Sequence, residues 1–595
     1  MKALIPGSLK RGIKPDLRSS AMMPGARTRK CCFLLLIGLL LVTAGLRTIH
    51  LDADPAAWFI DEIGYQIDEG YKTLAPRNLS LYGTIKWNPH DEYSGWMTGS
   101  AMTQWPYFWA FETLGTQLSS ARVVSIIYAV FLLGFAAVFL WRRHSPKMAL
   151  LGAVLLAADP GLFMFSRSAL FETALAFFTY AALFITYSVP IRKKPASPLL
   201  LAALTIPAFL FLKKSVLLYT GPAILALVLF AGRESGGRMF QQKRYIGVFA
   251  VLGLLVIAGA APFVYDYVRA LSPLDLGSVI HRPQKIFLNP IDALSPLALL
   301  MGYIALMDLL IRKPGAIFND GYRLILVFIM ILTPIGLSFF TYNYPRYYIP
   351  VIPAALLMVI ERLAITSSSF ERPRFRFGTL SGMTASIVFF ALAMTTWATL
   401  NRYVFTNFPL SLGKDPGLSV PALLTFYPVF LFLFAGFSYV FLKFTRGRLN
   451  TQLICLLVGA HLIVGLGISA ASVTFQTYRT KAIQEAIVRH VAPSESLGGD
   501  WAPYFVVGTR LRVLYMRPDF NSADHIRAIR PDYFLYSDTS YDRKNIEQLI
   551  ADKGIGLSGP ILLGRYADRP ITLYRIHYSG AVDQTAMSKT LCKDP

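Results

Sequence analysis

The amino-acid sequence predicts an all-α polytopic membrane protein that carries a small α/β domain at its C-terminal end. Apolar residues make up 54% of the 595 residues and charged residues only 15%, with a mean hydropathy of +0.48, whereas a soluble chain carries roughly 25% charged residues. Apolar stretches of about 20 residues, the length that crosses a bilayer core, recur along the chain. From about Thr480 the pattern changes to short alternating segments and amphipathic ones, which are typical of strands and surface helices.

The apolar stretches divide the chain into three regions. We expect a basic cytoplasmic segment at 1–30, a transmembrane region at 31–474 that includes a long loop at 47–120, and an extracytoplasmic domain at 475–595. The first stretch has no A-x-A cleavage site after it and follows a long basic region, so we interpret it as a retained signal anchor. About thirteen spans are predicted, at 31–46, 121–141, 148–164, 170–190, 197–212, 215–232, 245–265, 291–311, 321–340, 347–363, 379–398, 421–442 and 452–474.

The distribution of charge predicts the orientation of these helices. If the N-terminus is cytoplasmic, all six later cytoplasmic connections are net basic, and with the N-terminal segment they hold 28 Lys and Arg against five acids. This is the positive-inside pattern. It also accounts for the net charge of +24, which in a soluble chain would suggest nucleic-acid binding. We therefore expect no nucleic-acid partner and predict an extracytoplasmic first loop and C-terminal domain, with the protein in a bacterial inner membrane.

The C-terminal domain is predicted to contain helices at 481–491 and 545–554 and strands at 510–516, 532–538 and 571–578. Its sequence has none of three common catalytic motifs, namely a Gly-rich phosphate loop, HExxH and GxSxG. We expect a binding or regulatory module. Four cysteines are too few for a disulfide framework.

The first loop, 47–120, holds the strongest candidates for acid and base chemistry. It carries nine acidic residues and five of the eight tryptophans, and such tryptophans favour helices that lie on the bilayer surface. Asp61 and Glu62 stand in an apolar setting, where burial would raise the pKa of a carboxyl toward useful base strength. We interpret the pairs Asp68-Glu69 and Asp91-Glu92 as solvated surface carboxylates.

Three basic residues lie on the side that the positive-inside rule leaves poor in cations. Lys213 and Lys214 end the fifth span, and Arg346 begins the tenth. Each alone suits a residue that snorkels to the membrane surface. Together, and facing the acids of the first loop, they favour a site for an anionic lipid headgroup.

A second set of charges lies at the same rim. Arg167 and Glu172 flank the turn between the third and fourth spans, and Arg122 opens the second. A charged pair at this depth suggests a functional site, and an ion pair that joins helices explains it equally well. The histidines show no metal-ligand spacing, so the sequence leaves any metal site unknown.

These residues resemble the multi-spanning GT-C glycosyltransferases, in the branch of the protein O-mannosyltransferases and aminoarabinose transferases. The shared landmarks, over roughly 30–365, are the acidic pair after the first helix, the stretch WPYFWAFETLG…SSARVVS ending near Arg122, FSRSALFET, LKKS, and PRYYIPVIP with its Arg/Lys-Tyr-x-x-Pro signature. The resemblance implies a GT-C fold and a polyprenyl-phosphate sugar donor. The acceptor would be a hydroxyl of a glycan, lipid or protein in the cell envelope, and membrane lipids would surround the site.

The resemblance also assigns roles. It implies inversion at the sugar, a carboxylate base at Asp61 with Glu62 beside it, and donor-phosphate binding by Lys213 or Lys214 and Arg346. The supporting residues would be Arg122, Arg167, Glu172, Tyr65 and Tyr347. The continuation GYQIDEGY supplies a second acidic pair, which leaves open which carboxylate is the base, and a divalent cation stays possible.

A transporter or flippase is the alternative. It predicts helices broken near the membrane midplane and charges deep in the membrane, for which the sequence offers only Asp308 and the Asp-Pro-Gly run at 159–161. The acids cluster in the first loop instead, which favours the transferase.

Overall fold

The structure is a computed structural model that describes most of the chain and leaves several segments undescribed. The described residues are 26–54, 67–93, 97, 100–188, 197–234, 295–338, 345–365, 447–517, 521, 523–551, 555–566 and 569–578. The predicted spans at 245–265, 379–398 and 421–442 lie outside them, as do Asp61, Glu62 and Tyr65.

Helices dominate the described part up to Thr474. A bilayer offers no water to hydrogen-bond the backbone, so apolar segments there satisfy their N–H and C=O groups within a helix. The helices are α1 (Ala26–Thr48), α2 (Ile67–Tyr82), α3 (Ala101–Leu114), α4 (Leu118–Arg143), α5 (Pro146–Ala158), α6 (Pro160–Ser166), α7 (Phe171–Ser188), α8 (Ser197–Phe211), α9 (Leu217–Glu234), α10 (Pro296–Arg312), α11 (Pro314–Phe318), α12 (Gly321–Ser338), α13 (Ile352–Ile365) and α14 (Gly447–Thr474), with 3-10 turns at Lys214–Val216 and Pro345–Val351.

The described helices make the chain an integral membrane protein, as the sequence predicts. Five of them, at Arg27–Thr48, Leu118–Arg143, Lys214–Arg233, Arg346–Ile365 and Ile454–Thr474, are long and apolar enough to cross a membrane. The bent pair α5–α6 would make a sixth, and three further apolar helices are shorter. Each predicted span within the described residues coincides with a helix, while the total of thirteen stays a prediction.

The third predicted span is broken at Asp159. Helices α5 and α6 meet at an angle of 64°, because Pro160 lacks the N–H that would continue α5. The Asp159 carboxylate accepts a hydrogen bond from the backbone N of Leu162 at 2.8 Å and one from the Ser295 hydroxyl at 2.7 Å. Asp159 therefore caps α6 and ties the break to the start of α10. The other deep charge that the sequence offered, Asp308, is ion-paired with Arg362.

Helix α4 carries an arginine near each of its ends. Arg122 in its first turn contacts the first loop, and Arg143 in its last turn binds Asp320 and Glu361, at 2.6 Å each. These two arginines are separated by about 32 Å along the helix axis, from the rise of 1.5 Å per residue, which matches the thickness of a bilayer core. Residues assigned to opposite sides of the membrane thus lie at opposite ends of one helix.

A small α/β domain follows α14. It contains α15 (Arg479–His490), α16 (Ala502–Phe505), α17 (Ala523–Ile529) and α18 (Ser540–Ala551), with strands β1 (Ser496–Gly499), β2 (Arg512–Tyr515), β3 (Tyr533–Tyr536), β4 (Gly556–Tyr566) and β5 (Arg569–His577). The strand order is β2-β1-β3-β5-β4. Strands β2, β1 and β3 are parallel, and β5 pairs antiparallel with β3 and β4. The predicted strands and helices of this domain coincide with β2, β3, β5, α15 and α18, and β1 and β4 were not predicted.

The first loop is docked onto this domain through α2. A Cβ atom on Gly70 would lie 2.3 Å from the backbone of Tyr504, so only glycine permits this approach of α2 to α16. Arg77 donates hydrogen bonds to the carbonyls of Thr509 at 2.7 Å and Leu511 at 2.8 Å. Loop and domain therefore form one extramembrane unit above the helices.

Helix α3 carries the exposed tryptophans that the sequence predicts for a membrane surface. Trp105 and Trp109 are 45% and 62% exposed, four residues apart on one face, while Tyr107 and Phe111 are buried on the other. This arrangement suits a helix that lies in the interfacial region of a bilayer.

Candidate functional site

Five charged side chains come together where the first loop meets the membrane helices. We call them the rim cluster: Asp68, Lys72, Glu172, Lys213 and Arg346. All but Lys213 are buried, and the Lys213 side chain is 21% exposed. Four elements that are distant in sequence meet here, because α2, α7, the end of α8 and the Pro345–Val351 turn share one end of the helix bundle.

The cluster is held by ion pairs across these elements. Arg346 pairs with Asp68, and its Nε lies 3.7 Å from Glu172 Oε1. Lys213 Nζ donates to the same Glu172 oxygen at 3.1 Å. Glu172 lies in the first turn of α7, where the helix dipole favours a negative charge. A carboxylate of this kind is positioned to orient two cations.

The Pro345–Val351 turn fixes the direction of Arg346. The Tyr219 hydroxyl donates to the Tyr347 carbonyl at 2.6 Å, and the Tyr180 hydroxyl donates to the Pro350 carbonyl at 2.8 Å. The Tyr347 ring lies 4.6 Å from Lys213 Nζ and 5.3 Å from the Arg346 guanidinium. Tyr347 therefore lies between two predicted phosphate-binding residues, in the range of cation–π contact.

The two adjacent lysines separate. Lys213 is in extended backbone just before the 3-10 turn and enters the rim cluster, while Lys214 is exposed. Of the two lysines that the sequence left open, Lys213 is the one that contacts the rim cluster.

The prediction that Asp68-Glu69 and Asp91-Glu92 are solvated pairs is wrong for three of the four residues. Asp68, Glu69 and Asp91 are 7%, 0% and 0% exposed. Asp68 binds Arg346, and the Asp91 carboxylate accepts from Asn521 Nδ2 at 2.9 Å. The C-terminal domain and the membrane helices cover these carboxylates, which the sequence of the loop alone could not indicate.

Glu69 forms the second buried pair of the site. It binds Arg122, with Arg122 Nη2 at 2.7 Å, and it accepts from the backbone N of Ala169 at 2.6 Å. Arg122 Nη1 also donates to the carbonyls of Leu51 at 2.8 Å and Ala53 at 2.7 Å. Arg122 thus joins α4 to both ends of the segment that contains Asp61.

Arg167 and Glu172 do not form the ion pair that the sequence suggested. Arg167 donates to carbonyls at the end of α1, among them Ile49 at 2.8 Å and Arg47 at 3.0 Å. It caps α1, whose last carbonyls need donors, whereas Glu172 belongs to the rim cluster. Asn78-Leu79-Ser80 in the first loop matches an N-glycosylation acceptor, but the Asn78 side chain is buried and donates to the Ile85 carbonyl at 3.1 Å.

Lys72 is the member of the rim cluster that the sequence reasoning missed. Its Nζ lies 3.8 Å from Asp68 Oδ2 and 5.0 Å from the Phe171 ring. Lys72 lies one turn after Asp68 on α2, so an ion pair at Asp68 would have pointed to it. The sequence spacing alone does not distinguish Lys72 from a solvated lysine on a helix surface.

A groove of about 660 Å³ lies beside the cluster, between α4, α15 and the loop after α16. Arg122 lines its base, and Leu118, Val488 and Leu511 give it an apolar part. Lys481 and Arg510 stand in its wall. Arg122 thus lines the groove and binds Glu69, the neighbour of Asp68 in the chain.

Within the described residues, no group of three or more His, Cys, Asp and Glu side chains could hold a metal ion. The rim cluster has only two carboxylates, and each faces a cation. Its described residues suit an anion better than a metal.

No protein-family model matches the chain, and no curated protein matches it in sequence. Two solved structures of similar fold are crystal structures of ArnT from Cupriavidus metallidurans. The structure bound to undecaprenyl phosphate has a TM-score of 0.47 at 14% identity and covers 91% of this chain and 97% of ArnT. The apo structure has a TM-score of 0.48 with the same identity and coverage.

Proposed function

We propose that this protein transfers a sugar from a polyprenyl-phosphate donor to a hydroxyl acceptor on the extracytoplasmic face of a bacterial inner membrane. The observation that carries the proposal is the rim cluster, in which Lys72, Lys213 and Arg346 meet two buried carboxylates at one end of the membrane helices. Ionisable residues at this depth are a functional-site hypothesis by default.

The chemistry of a lipid phosphate fits these cations. When the bond between the sugar and the phosphate breaks, the phosphate oxygen gains negative charge, and fixed cations stabilise that charge. Lys213 is the exposed member of the cluster and Arg346 the rigid one. We assign to both the binding of the donor phosphate, with Glu172 orienting them and Tyr347 between them.

The acceptor hydroxyl needs a base. Asp61, with Glu62 beside it, is our choice from the sequence, and attack by the activated hydroxyl on the anomeric carbon would invert the sugar. In the sequence, Asp61 stands between Ala53 and Asp68. Arg122 binds the carbonyl of Ala53, and Asp68 belongs to the rim cluster. The groove lined by Arg122 offers the acceptor a binding surface next to the Arg122–Glu69 pair.

Transport is the second candidate, because the break between α5 and α6 is a feature of transporter helices. Asp159 at this break is already bound by Leu162 and Ser295. An assay of lipid translocation in proteoliposomes separates the two functions: a transferase leaves the rate of translocation at the background level of empty liposomes.

The experiment that tests the proposal compares envelope glycans and lipids by mass spectrometry in cells that lack the gene. Cells complemented with the wild type or Lys214→Ala should show a sugar-bearing product that is missing with Lys213→Ala. Identical spectra in all strains, with the protein present in the membrane, would contradict a transferase.

A further inference from the structure

Lys72 is a buried ammonium group without a hydrogen-bond acceptor among the described residues. It is 3% exposed, and its Nζ has no hydrogen-bond partner. The carbonyl of the same residue accepts from Gln104 Nε2 at 2.6 Å, which ties this turn of α2 to α3. This turn of α2 is therefore held in place, while the Lys72 Nζ lacks a hydrogen-bond acceptor among the described residues.

Such a group is costly in an apoprotein. A lysine ammonium has three donors, and burying a charge without hydrogen bonds costs several kcal/mol unless its protonation changes. Burial lowers the pKa of Lys72, Glu172 and Asp68 oppose this change, and Arg346 and Lys213 add to it, which together leaves the pKa at about 8. Lys72 thus lies close to losing its charge at neutral pH.

The charges around Lys72 leave it as the surplus cation of the cluster. Asp68 pairs with Arg346 and Glu172 pairs with Lys213. The ring of Phe171 covers a further side of the ammonium. Three cations face two carboxylates, so the cluster carries one positive charge in excess and suits an anion.

We propose that Lys72 Nζ binds the phosphate of the lipid-linked donor and supplies, with Lys213 and Arg346, the third cation of the phosphate site. The inference rests on the proposed function and assigns a phosphate ligand that the sequence did not reveal. Phosphate oxygens would give the ammonium the acceptors that the protein does not provide. A bound phosphate also keeps Lys72 protonated.

The lowered pKa of Lys72 makes donor affinity depend on pH. Below about pH 8 the free protein already holds the Lys72 proton, so donor affinity does not depend on it. Above that pH the free lysine is neutral, and binding must take up a proton, which weakens affinity by up to tenfold per pH unit. An arginine at this position stays charged over the whole range.

The test measures the affinity of the full-length protein in nanodiscs for undecaprenyl phosphate between pH 6.5 and 9.5, with undecaprenol as the ligand that lacks phosphate. We expect constant wild-type affinity up to about pH 8 and a fall of several-fold to tenfold per unit above it. Lys72→Arg should remove this fall, and Lys72→Met should bind at least about tenfold more weakly at pH 7. Lys214→Met should bind undecaprenyl phosphate with the affinity and pH dependence of the wild type. The affinity for undecaprenol should be the same in all three variants as in the wild type.

Two results would overturn the inference. Equal pH dependence in the wild type and Lys72→Arg means that Lys72 does not touch the phosphate, even if Lys72→Met fails to fold. Inorganic phosphate that competes equally well against wild type and Lys72→Met would show the same. If the wild type does not bind undecaprenyl phosphate at any pH, the proposed function itself fails, which is a distinguishable outcome.

Discussion

Arg346, in the turn before α13, pairs with Asp68 of the first loop, 278 positions earlier in the chain. This pair joins the extramembrane unit to the membrane helices at the rim cluster. Since Asp68 shares α2 with Gly70 and Arg77, which contact the C-terminal domain, the same helix links the domain to the site.

Replacing Lys213 with alanine should impair donor use, while the same change at Lys214 should not. Of the two lysines, Lys213 is the one that hydrogen-bonds Glu172. Losing a hydrogen bond to a charged group costs about 1.5–3 kcal/mol, or roughly ten- to a hundredfold in affinity. The measurement is the apparent donor KM in membranes supplied with polyprenyl-phosphate sugar. Equal values for the two variants would show that Lys213 merely anchors the helix.

Removing Arg346 alone should destabilise the protein. Arg346→Met breaks the buried pair with Asp68 and leaves Lys72 Nζ, 3.8 Å away, near that carboxylate, so the cost should approach the about 3–5 kcal/mol of a broken buried pair. The double variant Arg346→Met with Asp68→Leu removes both charges and should recover most of the lost stability, because a buried pair is often replaceable by apolar residues. Thermal unfolding in detergent reports stability, and sugar transfer should stay lost in both. A double variant that regains transfer would refute the role of Arg346 in phosphate binding.

Gly70→Ala should separate the first loop from the C-terminal domain. The new Cβ would lie 2.3 Å from the Tyr504 backbone, and overpacking of this kind costs about 1–3 kcal/mol. Gly134→Ala on α4 is the matched control, since nothing lies within 4 Å of its added Cβ. Limited proteolysis of the loop should accelerate only in Gly70→Ala, and an unchanged rate would contradict the docking.

The acids at the carboxyl ends of β1 and β3 should give the C-terminal domain a pH-dependent stability. Burial raises the pKa of Asp500, and the charge of Asp542 raises it further, against the Arg517 guanidinium at 3.1 Å. The folded domain therefore holds protons that the unfolded chain releases above the ordinary pKa of 3.8. Its stability falls as pH rises from about 4 toward neutral.

Asp500→Asn provides the check on this effect. The difference in melting temperature between Asp500→Asn and the wild type should grow in favour of the variant from pH 5 to pH 8. A constant difference over this range would show that Asp500 does not hold the extra proton.

Asp61→Asn should abolish sugar transfer and leave membrane insertion and donor binding intact, because it removes the base and no cation. Asp52→Asn is the control, an exposed carboxylate in the same loop. Transfer at wild-type rate in Asp61→Asn would move the role of base to another acid of the loop.

The membrane helices were predictable because hydropathy reports burial in lipid directly. The strands β2, β3 and β5 were also predictable from alternation, whereas β1, Ser496–Gly499, is short and half glycine and offers no such pattern. Of the site, Arg346 and Lys213 could be recognised as cations on the wrong side of the membrane. The position of Glu172 in the sequence predicted that it lies at the rim, but did not predict its ion pairs with Lys213 and Arg346.

The misassigned residues share one cause. Asp68, Glu69 and Lys72 look like a polar surface when α2 is read alone, and their burial comes from α16, α7 and α4, which are between 50 and several hundred positions away. Periodicity reports one buried face of a helix and cannot report that a second domain covers the other. The pairing of Arg122 with Glu69 rather than with a helix neighbour belongs to the same class of long-range contact.

The central claim is that the rim cluster binds the phosphate of a polyprenyl lipid. Its most direct test is the affinity of the purified wild-type protein, in nanodiscs at pH 7, for undecaprenyl phosphate compared with undecaprenol. The three cations of the rim cluster should favour the phosphate-bearing lipid by at least about tenfold. Equal affinity for the two lipids would contradict the account.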